Sequence, residues 1–144
     1  MTTSTEIETI LYKDKQFKGC FPHDKLPKVK CSDLPLSLII NTDDSNKEGD
    51  HWVGIVMTKK NCYYFDSFGV PVLSVHVLKF LKKFYKYVVY SSKQVQSIFS
   101  DKCGYFTVGF VCLVKSVNSY NKFLNLFSND FAVNDSVCIN LFKK

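Results

Sequence analysis

Arginine is absent from this sequence, so lysine carries every permanent positive side-chain charge. Lysine is a compact, mobile point charge that contacts phosphate more loosely than the planar guanidinium of arginine. The formal net charge of +6 still favours polyanionic partners. These two facts argue against base-specific reading of nucleic acid and leave loose contact with a phosphate backbone as the expected mode.

Export signals and membrane-spanning runs are also missing. The longest mostly apolar run, Tyr105–Val114, is about half the length needed to cross a bilayer, so it predicts a buried helix. The N-terminal segment has no cationic start or apolar core, and its acidic Glu6 and Glu8 disfavour a mitochondrial presequence. We therefore expect an intracellular protein without a membrane partner.

The cysteines do not form a metal-binding pattern. The sequence has six cysteines but no C-x-x-C pair, so we expect no structural zinc site. Without an export signal, the six are predicted to be free thiols, because the cytosol and nucleus keep thiols reduced. The remaining question is which thiol carries a function.

Length and composition predict a single α+β domain spanning residues 1–144. The hydrophobic fraction of 46% lies in the globular range. Periodicity predicts helices at Glu6–Tyr12, from Ser74 (amphipathic), at Cys103–Val117, at Ser119–Phe127 and at Ser136–Phe142. Strands are predicted at Leu36–Asn41 and Tyr87–Ser91, together with a hairpin of His51–Met57 and Asn61–Phe65. The predicted connections are an irregular stretch at Lys18–Lys30 and polar loops at Thr42–Asp50 and Gln94–Lys102. The helix that begins at Cys103 is apolar on nearly every side, so it should be central. Asn134 or Asp135 is expected to cap the last helix.

The amphipathic helix from Ser74 carries a cluster of lysines on one side. The four lysines are Lys79, Lys82, Lys83 and Lys86. A solvated helix face is one interpretation of this cluster, and a nucleic-acid-binding surface is the other. Both stay open at this point.

Cys103 is the predicted nucleophile. It would stand at the N-terminus of the central helix, where unpaired N–H groups and the helix dipole favour a thiolate. It follows the polar residues Asp101 and Lys102, so we expect it to be more accessible than Cys112 in the apolar helix. A cysteine before a glycine is weak evidence by itself, because a buried structural thiol is the alternative.

A cysteine nucleophile at neutral pH usually needs an imidazole within hydrogen-bonding reach. His51 begins a predicted strand and is followed by the only tryptophan, Trp52, whose ring can shield the site from water. His23 lies in the irregular stretch and His76 lies on the lysine-rich helix, so neither receives a role. His51 is therefore the predicted base.

The base needs a carboxylate that orients it, and Asp66 is the candidate. If the two segments of the predicted hairpin pair, Asp66 reaches the same end of the sheet as His51. The alternative is an ordinary turn aspartate preceding Gly69.

Four segments occur in a characteristic order, with seven positions separating Gln96 from Cys103. The segments are Gly49-Asp50-His51-Trp52, Tyr64-Phe65-Asp66-Ser67-Phe68-Gly69, Val95-Gln96 and Cys103-Gly104. They resemble the active-site segments of the adenovirus-type cysteine proteases, the adenains. The order histidine, acid, glutamine, cysteine is shared with the larger clan that contains the SUMO-specific proteases. The tail from Leu124 to Phe142 is similar to adenain-like proteases of small DNA viruses and virus-like transposons.

The resemblance implies a papain-like fold in permuted chain order, with a mixed or antiparallel sheet packed on a central helix that starts at the nucleophile. It implies a thiol protease with Cys103 as nucleophile, His51 as base, Asp66 as orienting carboxylate and Gln96 as oxyanion donor. Substrate contacts are expected at two further residues. These are Trp52 and Gly104.

The resemblance also carries expectations about partners. It implies a monomer that cleaves viral precursor proteins after small residues such as glycine during virion maturation, in the host nucleus and the virion. No metal or cofactor is required, and DNA is a candidate enhancer. The adenovirus enzyme is activated by a disulfide-linked peptide, but the Tyr87–Gln94 segment lacks the cysteine for it, so we do not expect that cofactor. The alternatives are a SUMO-type isopeptidase and a basic DNA-binding or structural protein that retains the fold.

Overall fold

The computed structural model describes residues 2–43 and 51–142. The helices in these ranges are α1 (Ser4–Ile10), α2 (Val75–Lys82), α3 (Cys103–Leu113), α4 (Val117–Leu124) and α5 (Phe131–Phe142), and a 3₁₀ turn covers Cys31–Asp33. The strands are β1 (Phe17–Pro22), β2 (Leu36–Asn41), β3 (Trp52–Met57), β4 (Cys62–Phe65) and β5 (Val89–Tyr90). They form one mixed sheet in the order β1-β2-β3-β4-β5, so the predicted α+β class is confirmed.

The centre of the sheet is antiparallel and its two outer pairings are parallel. β3 pairs antiparallel with both β2 and β4, whereas β1 runs parallel to β2 and β5 runs parallel to β4. The predicted hairpin is confirmed, with Gly54 opposite Phe65. Continued toward the start of β3, this register brings His51 to the level of the residues that follow β4.

Each face of the sheet has its own core, because successive side chains of a strand point to opposite faces. On one face, Trp52, Val56 and Phe65 pack with the buried residues of α3 and α4. On the other face, Val53 and Ile55 pack against α2. The middle strands β2 and β3 are therefore buried along their whole length.

The central helix α3 lies directly on the sheet at Gly54. A Cβ atom at Gly54 would meet the ring of Phe110 at 2.5 Å and the methyl group of Thr107 at 3.0 Å. Thr107 also donates a hydrogen bond to the carbonyl oxygen of Trp52 at 3.3 Å. This close approach fixes the start of α3 beside the start of β3, and it confirms the predicted buried helix.

Two differences from the sequence prediction concern the first half of the chain. The stretch Lys18–Lys30 was expected to be irregular, but its first part belongs to β1. Pro22 ends that strand at the edge of the sheet, where a missing N–H is tolerated. The first helix spans Ser4–Ile10 instead of Glu6–Tyr12, because the Thr3 side chain accepts a hydrogen bond from the Glu6 N–H and caps it earlier.

The C-terminal helices also differ in their bounds. α3 ends at Leu113 instead of Val117, because Ser116 begins α4 with a capping box to Ser119. The last helix begins at Phe131 instead of Ser136. Neither Asn134 nor Asp135 caps it, since both lie inside it; Asp130 accepts a hydrogen bond from the N–H of Val133 at 3.3 Å.

Candidate active site

His51 and Asp66 meet at the end of the hairpin. The His51 Nε2 atom lies 2.8 Å from Asp66 Oδ1, and the two side chains are only 12% and 8% exposed. The backbone N–H of Phe68 donates to the same carboxylate oxygen at 2.8 Å, and the Phe68 ring stacks on the imidazole with centroids 4.3 Å apart. Asp66 also takes part in the turn that was its alternative interpretation, because its backbone carbonyl oxygen accepts from the Gly69 N–H at 2.8 Å. The two interpretations of Asp66 are therefore compatible.

Cys103 is the first residue of α3, as predicted. Its side chain lies near the His51 imidazole, close enough to influence the histidine pKa. Burial opposes the charge on His51, but hydrogen bonds to Asp66 and to Cys103, together with their negative charges, outweigh it and raise the histidine pKa to about 9. Because Asp66 takes Nε2, the imidazole has Nδ1 left for the thiol. The three residues form a cysteine–histidine–carboxylate arrangement.

Gln96 lies in the loop before α3 and is fully buried. Its amide oxygen accepts a short hydrogen bond from the Ser67 hydroxyl, and its Nε2 donates to the carbonyl oxygen of Ser100 at 3.0 Å. Within the described ranges, the second hydrogen of Nε2 has no hydrogen-bond partner, so one donor remains for another acceptor. Gln94 differs, since it is exposed and donates to the carbonyl oxygen of Gln96 at 2.9 Å.

The two predicted substrate contacts, Trp52 and Gly104, both touch Thr2. The indole N–H of Trp52 donates to the Thr2 carbonyl oxygen at 2.9 Å. A Cβ atom at Gly104 would meet the Thr2 side chain at 2.6 Å. A substrate that contacts either residue must therefore bind beside Thr2 or displace it. Their role in substrate binding stays a prediction.

The expected accessibility of Cys103 is wrong. Cys103 is 3% exposed and belongs to the core cluster on the α3 face, whereas Cys112 is only partly buried. Thr2 packs on the neighbouring Gly104 and covers this end of the helix. All six cysteines are free thiols. Burial raises the pKa of Cys20 and of Cys62 to about 12, and Cys31 is the exposed thiol.

Sequence analysis gave no role to His23 and His76. His23 lines a cavity together with His51 and Asp66, whereas His76 lines a different cavity. His23 Nδ1 is 2.7 Å from the Ser74 hydroxyl, and the two histidine rings make an edge contact at 5.2 Å. All four lysines of the cluster are exposed. Lys79 and Lys82 lie on α2, but the helix ends earlier than expected, so Lys83 is its C-cap and Lys86 follows it. The lysines thus lie on a solvent-facing surface, and DNA binding there stays a prediction.

Three residues that contact the Gln96 loop escaped the sequence analysis. Ser67, Asn134 and Asp135 hold this loop through hydrogen bonds that link distant parts of the chain. Ser67 follows Asp66 directly, and that adjacency was the only available signal. Asn134 and Asp135 were read as helix caps, and no sequence pattern connects them to residue 96.

Some predictions fall where the structure gives no description. Gly49, Asp50 and most of the predicted polar loop lie outside the described residues. Among residues 2–43 and 51–142, no group of three or more histidine, cysteine or acidic side chains is arranged to hold a metal ion. In the same ranges, no helix has the length and apolar character to cross a membrane.

Comparisons with known proteins inform the fold. No protein-family model matches this sequence, and no curated protein matches it. Solved structures do match. The selenomethionine crystal structure of the ASFV pS273R protease superposes with a TM-score of 0.59 at 17% sequence identity, covering 100% of this chain and 68% of that one. The chain therefore has a protease-like fold of the papain-like and adenain-like architecture.

Proposed function

We propose that this protein is a cysteine endopeptidase that uses Cys103, His51 and Asp66. The supporting observation is the convergence of a helix N-terminal thiol and a carboxylate-bound imidazole. The 2.8 Å contact between His51 and Asp66, with the Cys103 side chain near the same ring, is the kind of arrangement that activates a sulfur nucleophile. The likeness to a protease structure adds support at the level of the fold.

The proposed reaction is acyl transfer in two steps. With a pKa of about 9, His51 is protonated at neutral pH, and Cys103 is proposed to react as the thiolate. The thiolate attacks the scissile carbonyl carbon, and the imidazolium gives its proton to the leaving amine as the C–N bond breaks. Water then attacks the thioester, loses a proton to His51, and releases the acid and the thiolate.

Gln96 is proposed to stabilise the oxyanion in both steps. A tetrahedral intermediate places negative charge on the former carbonyl oxygen, which neutral N–H donors in a dry site stabilise strongly. The free hydrogen on Gln96 Nε2 and the backbone N–H of Cys103 are the proposed donors. The hydrogen bond from the Ser67 hydroxyl holds the Gln96 amide oxygen. The amide group therefore does not rotate to turn this acceptor toward the oxyanion.

The proposed substrates are viral precursor proteins, cut after small residues such as glycine. By the same resemblance, the enzyme works as a monomer in the host nucleus and the virion, without a metal or a disulfide-linked peptide. DNA is proposed as an enhancer that binds the lysine cluster. These partners follow from the adenain-like motifs, and the fold is compatible with them.

The test is a parallel assay of the purified protein and its Cys103→Ala variant. Three substrates are offered: a glycine-ending fluorogenic peptide, a SUMO fusion and a viral precursor protein. Cleavage of the peptide and the precursor by the wild type alone supports the endopeptidase. Preference for the SUMO fusion favours an isopeptidase instead. Equal results for wild type and variant leave a binding or structural protein and refute the proposal.

A further inference from the structure

The loop that carries Gln96 is held by the last helix. Asn134 lies in the first turn of α5 and is 0% exposed. Its Nδ2 donates to the carbonyl oxygens of Val95, at 2.9 Å, and Ser128, at 2.8 Å. Its Oδ1 accepts from the N–H of Ser128 at 2.9 Å. Both hydrogens of this amide are therefore used, and one of them holds the residue before Gln96.

The peptide unit between Val95 and Gln96 is fixed from two sides. The Asn134 side chain donates to the carbonyl oxygen of this unit, which belongs to Val95. The N–H of the unit belongs to Gln96 and donates to the Ser67 carbonyl oxygen at 3.2 Å. Because a peptide unit is planar, holding both polar groups fixes the position of the Gln96 Cα atom, from which the side chain extends. Asn134 thereby constrains the origin of the Gln96 side chain.

The far side of the same loop also contacts α5. The Ser100 hydroxyl donates to Asp135 Oδ2 at 2.9 Å, and the Ser100 carbonyl oxygen accepts from Gln96 Nε2 at 3.0 Å. Two consecutive residues of α5 thus hold the loop before and after Gln96. The tip between these points is exposed, with Phe99 91% exposed. Ser67 holds the loop from its other side, through its hydroxyl and its carbonyl oxygen.

We propose that Asn134 is a positioning residue for the oxyanion donor Gln96, acting through the Val95 carbonyl. This inference rests on the proposed protease function. Donors to a developing charge must be held close to the productive geometry, and a misplacement of about 1 Å can cost up to about 10²-fold in rate. Asn134 holds the loop in that geometry through Val95, which lies 39 positions before it in the sequence.

The experiment is a double-mutant cycle on peptide cleavage with Asn134→Ala and Gln96→Ala. Asn134→Ala should lower kcat by about 10-fold to 10²-fold with little change in KM, because the oxyanion forms only after substrate is bound. In the Gln96→Ala background, the same change should lower kcat by less than about 3-fold, since there is no donor left to misplace. Independent, multiplicative losses would overturn the proposal.

Controls separate positioning from stability. Cys138→Ala removes a fully buried side chain from the same helix but leaves the hydrogen bond from Asn134 to the Val95 carbonyl in place, so it should lower stability and leave kcat of the folded protein near wild type. Asn129→Ala changes an exposed asparagine in the same tail and should have no effect. A loss of kcat in Cys138→Ala as large as in Asn134→Ala would make the effect a general one and refute the specific role.

A second readout does not need activity. The side-chain amide of Gln96, identified in a nitrogen–proton correlation spectrum by its loss in Gln96→Ala, should shift or broaden in Asn134→Ala and stay in place in Cys138→Ala. An unmoved signal in folded Asn134→Ala would overturn the positioning role. If wild-type protein cleaves nothing, the proposed function fails by that observation alone, and the amide signal still decides whether Asn134 positions Gln96.

Discussion

The two sides of the candidate site are held in different ways. The base side, His51 and Asp66, is assembled by one hairpin from residues 15 positions apart. The oxyanion side depends on contacts of Gln96 with Ser67, 29 positions away, and on the link from Val95 to Asn134, 39 positions away. The base side therefore needs two adjacent strands, whereas the oxyanion side needs the last helix in its place.

The two sides also differ in the physics they use. Interactions with ionisable partners dominate the base side, where hydrogen bonds to Asp66 and Cys103, together with their charges, raise the pKa of His51 to about 9 against the effect of burial. Neutral hydrogen bonds dominate the oxyanion side, where a buried amide is held at its oxygen and at one N–H. Changes on the base side should therefore alter the pH dependence, and changes on the oxyanion side should alter kcat alone.

The largest effect is expected from the reacting groups. Cys103→Ala and His51→Ala should each lower peptide cleavage by about 10⁴-fold to 10⁶-fold, because nucleophile and base act as one unit. The buried position of Cys103 adds a packing cost, so we expect a loss of about 1–2 kcal/mol in the free energy of unfolding. Steady-state kinetics and thermal unfolding measure the two quantities separately.

Matched controls are available for both substitutions. Cys112→Ala and His76→Ala alter the same residue types away from the site and should retain activity. Asp66→Asn should keep more activity than either reacting-group variant, because the helix N-terminus still favours the thiolate. Equal losses in all three site variants would mean that the carboxylate is as indispensable as the nucleophile, contrary to this ranking.

The next effect concerns the oxyanion side. Gln96→Ala should lower kcat by about 10²-fold to 10³-fold with little change in KM, since its bond to the substrate strengthens as charge develops. Gln94→Ala is the matched control and should be mild, because Gln94 is exposed and its side chain makes one hydrogen bond, to the Gln96 carbonyl, in the described ranges. A damaging Gln94→Ala beside a near-normal Gln96→Ala would move the assignment by two residues.

The same contrast explains what the sequence could predict. The β3–β4 hairpin was predictable because its β-branched and aromatic residues and the polar residues between its strands are local signals, and pairing alone brings His51 to Asp66. β1 was missed because Pro22 reads as a breaker, although an edge position removes that objection. Asn134 was misread because capping is the common role of asparagine near a helix start, and its burial against Val95 depends on tertiary packing.

A smaller effect should appear in the titration of His51. Cys103→Ala removes a hydrogen bond and a negative charge from the imidazole, so the histidine pKa should fall below about 9. Because the pKa of His51 is raised from its ordinary value of 6.5, the protonated ring stabilises the folded protein. This contribution is fully present below pH 6.5 and is lost as the pH rises through about 9. The wild type should therefore lose more stability than Cys103→Ala over that range.

Proton chemical shifts of the His51 ring and unfolding curves at several pH values measure both consequences. Cys112→Ala is the control, because its thiol lies further along α3, nine residues from Cys103. If Cys103→Ala titrates as the wild type does, the thiol is not coupled to the imidazole, and the electrostatic description of the base side is wrong.

The smallest effect is expected from the lysine cluster, which contributes to neither side of the site. If DNA enhances cleavage through Lys79, Lys82, Lys83 and Lys86, the enhancement should decline steeply with salt, because bound lysines release counterions from the phosphates. Replacing all four by glutamine should reduce the slope of log affinity against log salt by up to about 3–4, while basal cleavage stays unchanged.

A matched control set consists of four exposed lysines whose replacement changes net charge equally: Lys13, Lys15, Lys59 and Lys60. An equal reduction in both sets would mean that only net charge matters, whereas an unchanged slope in the first set would leave its lysines as a solvated helix face.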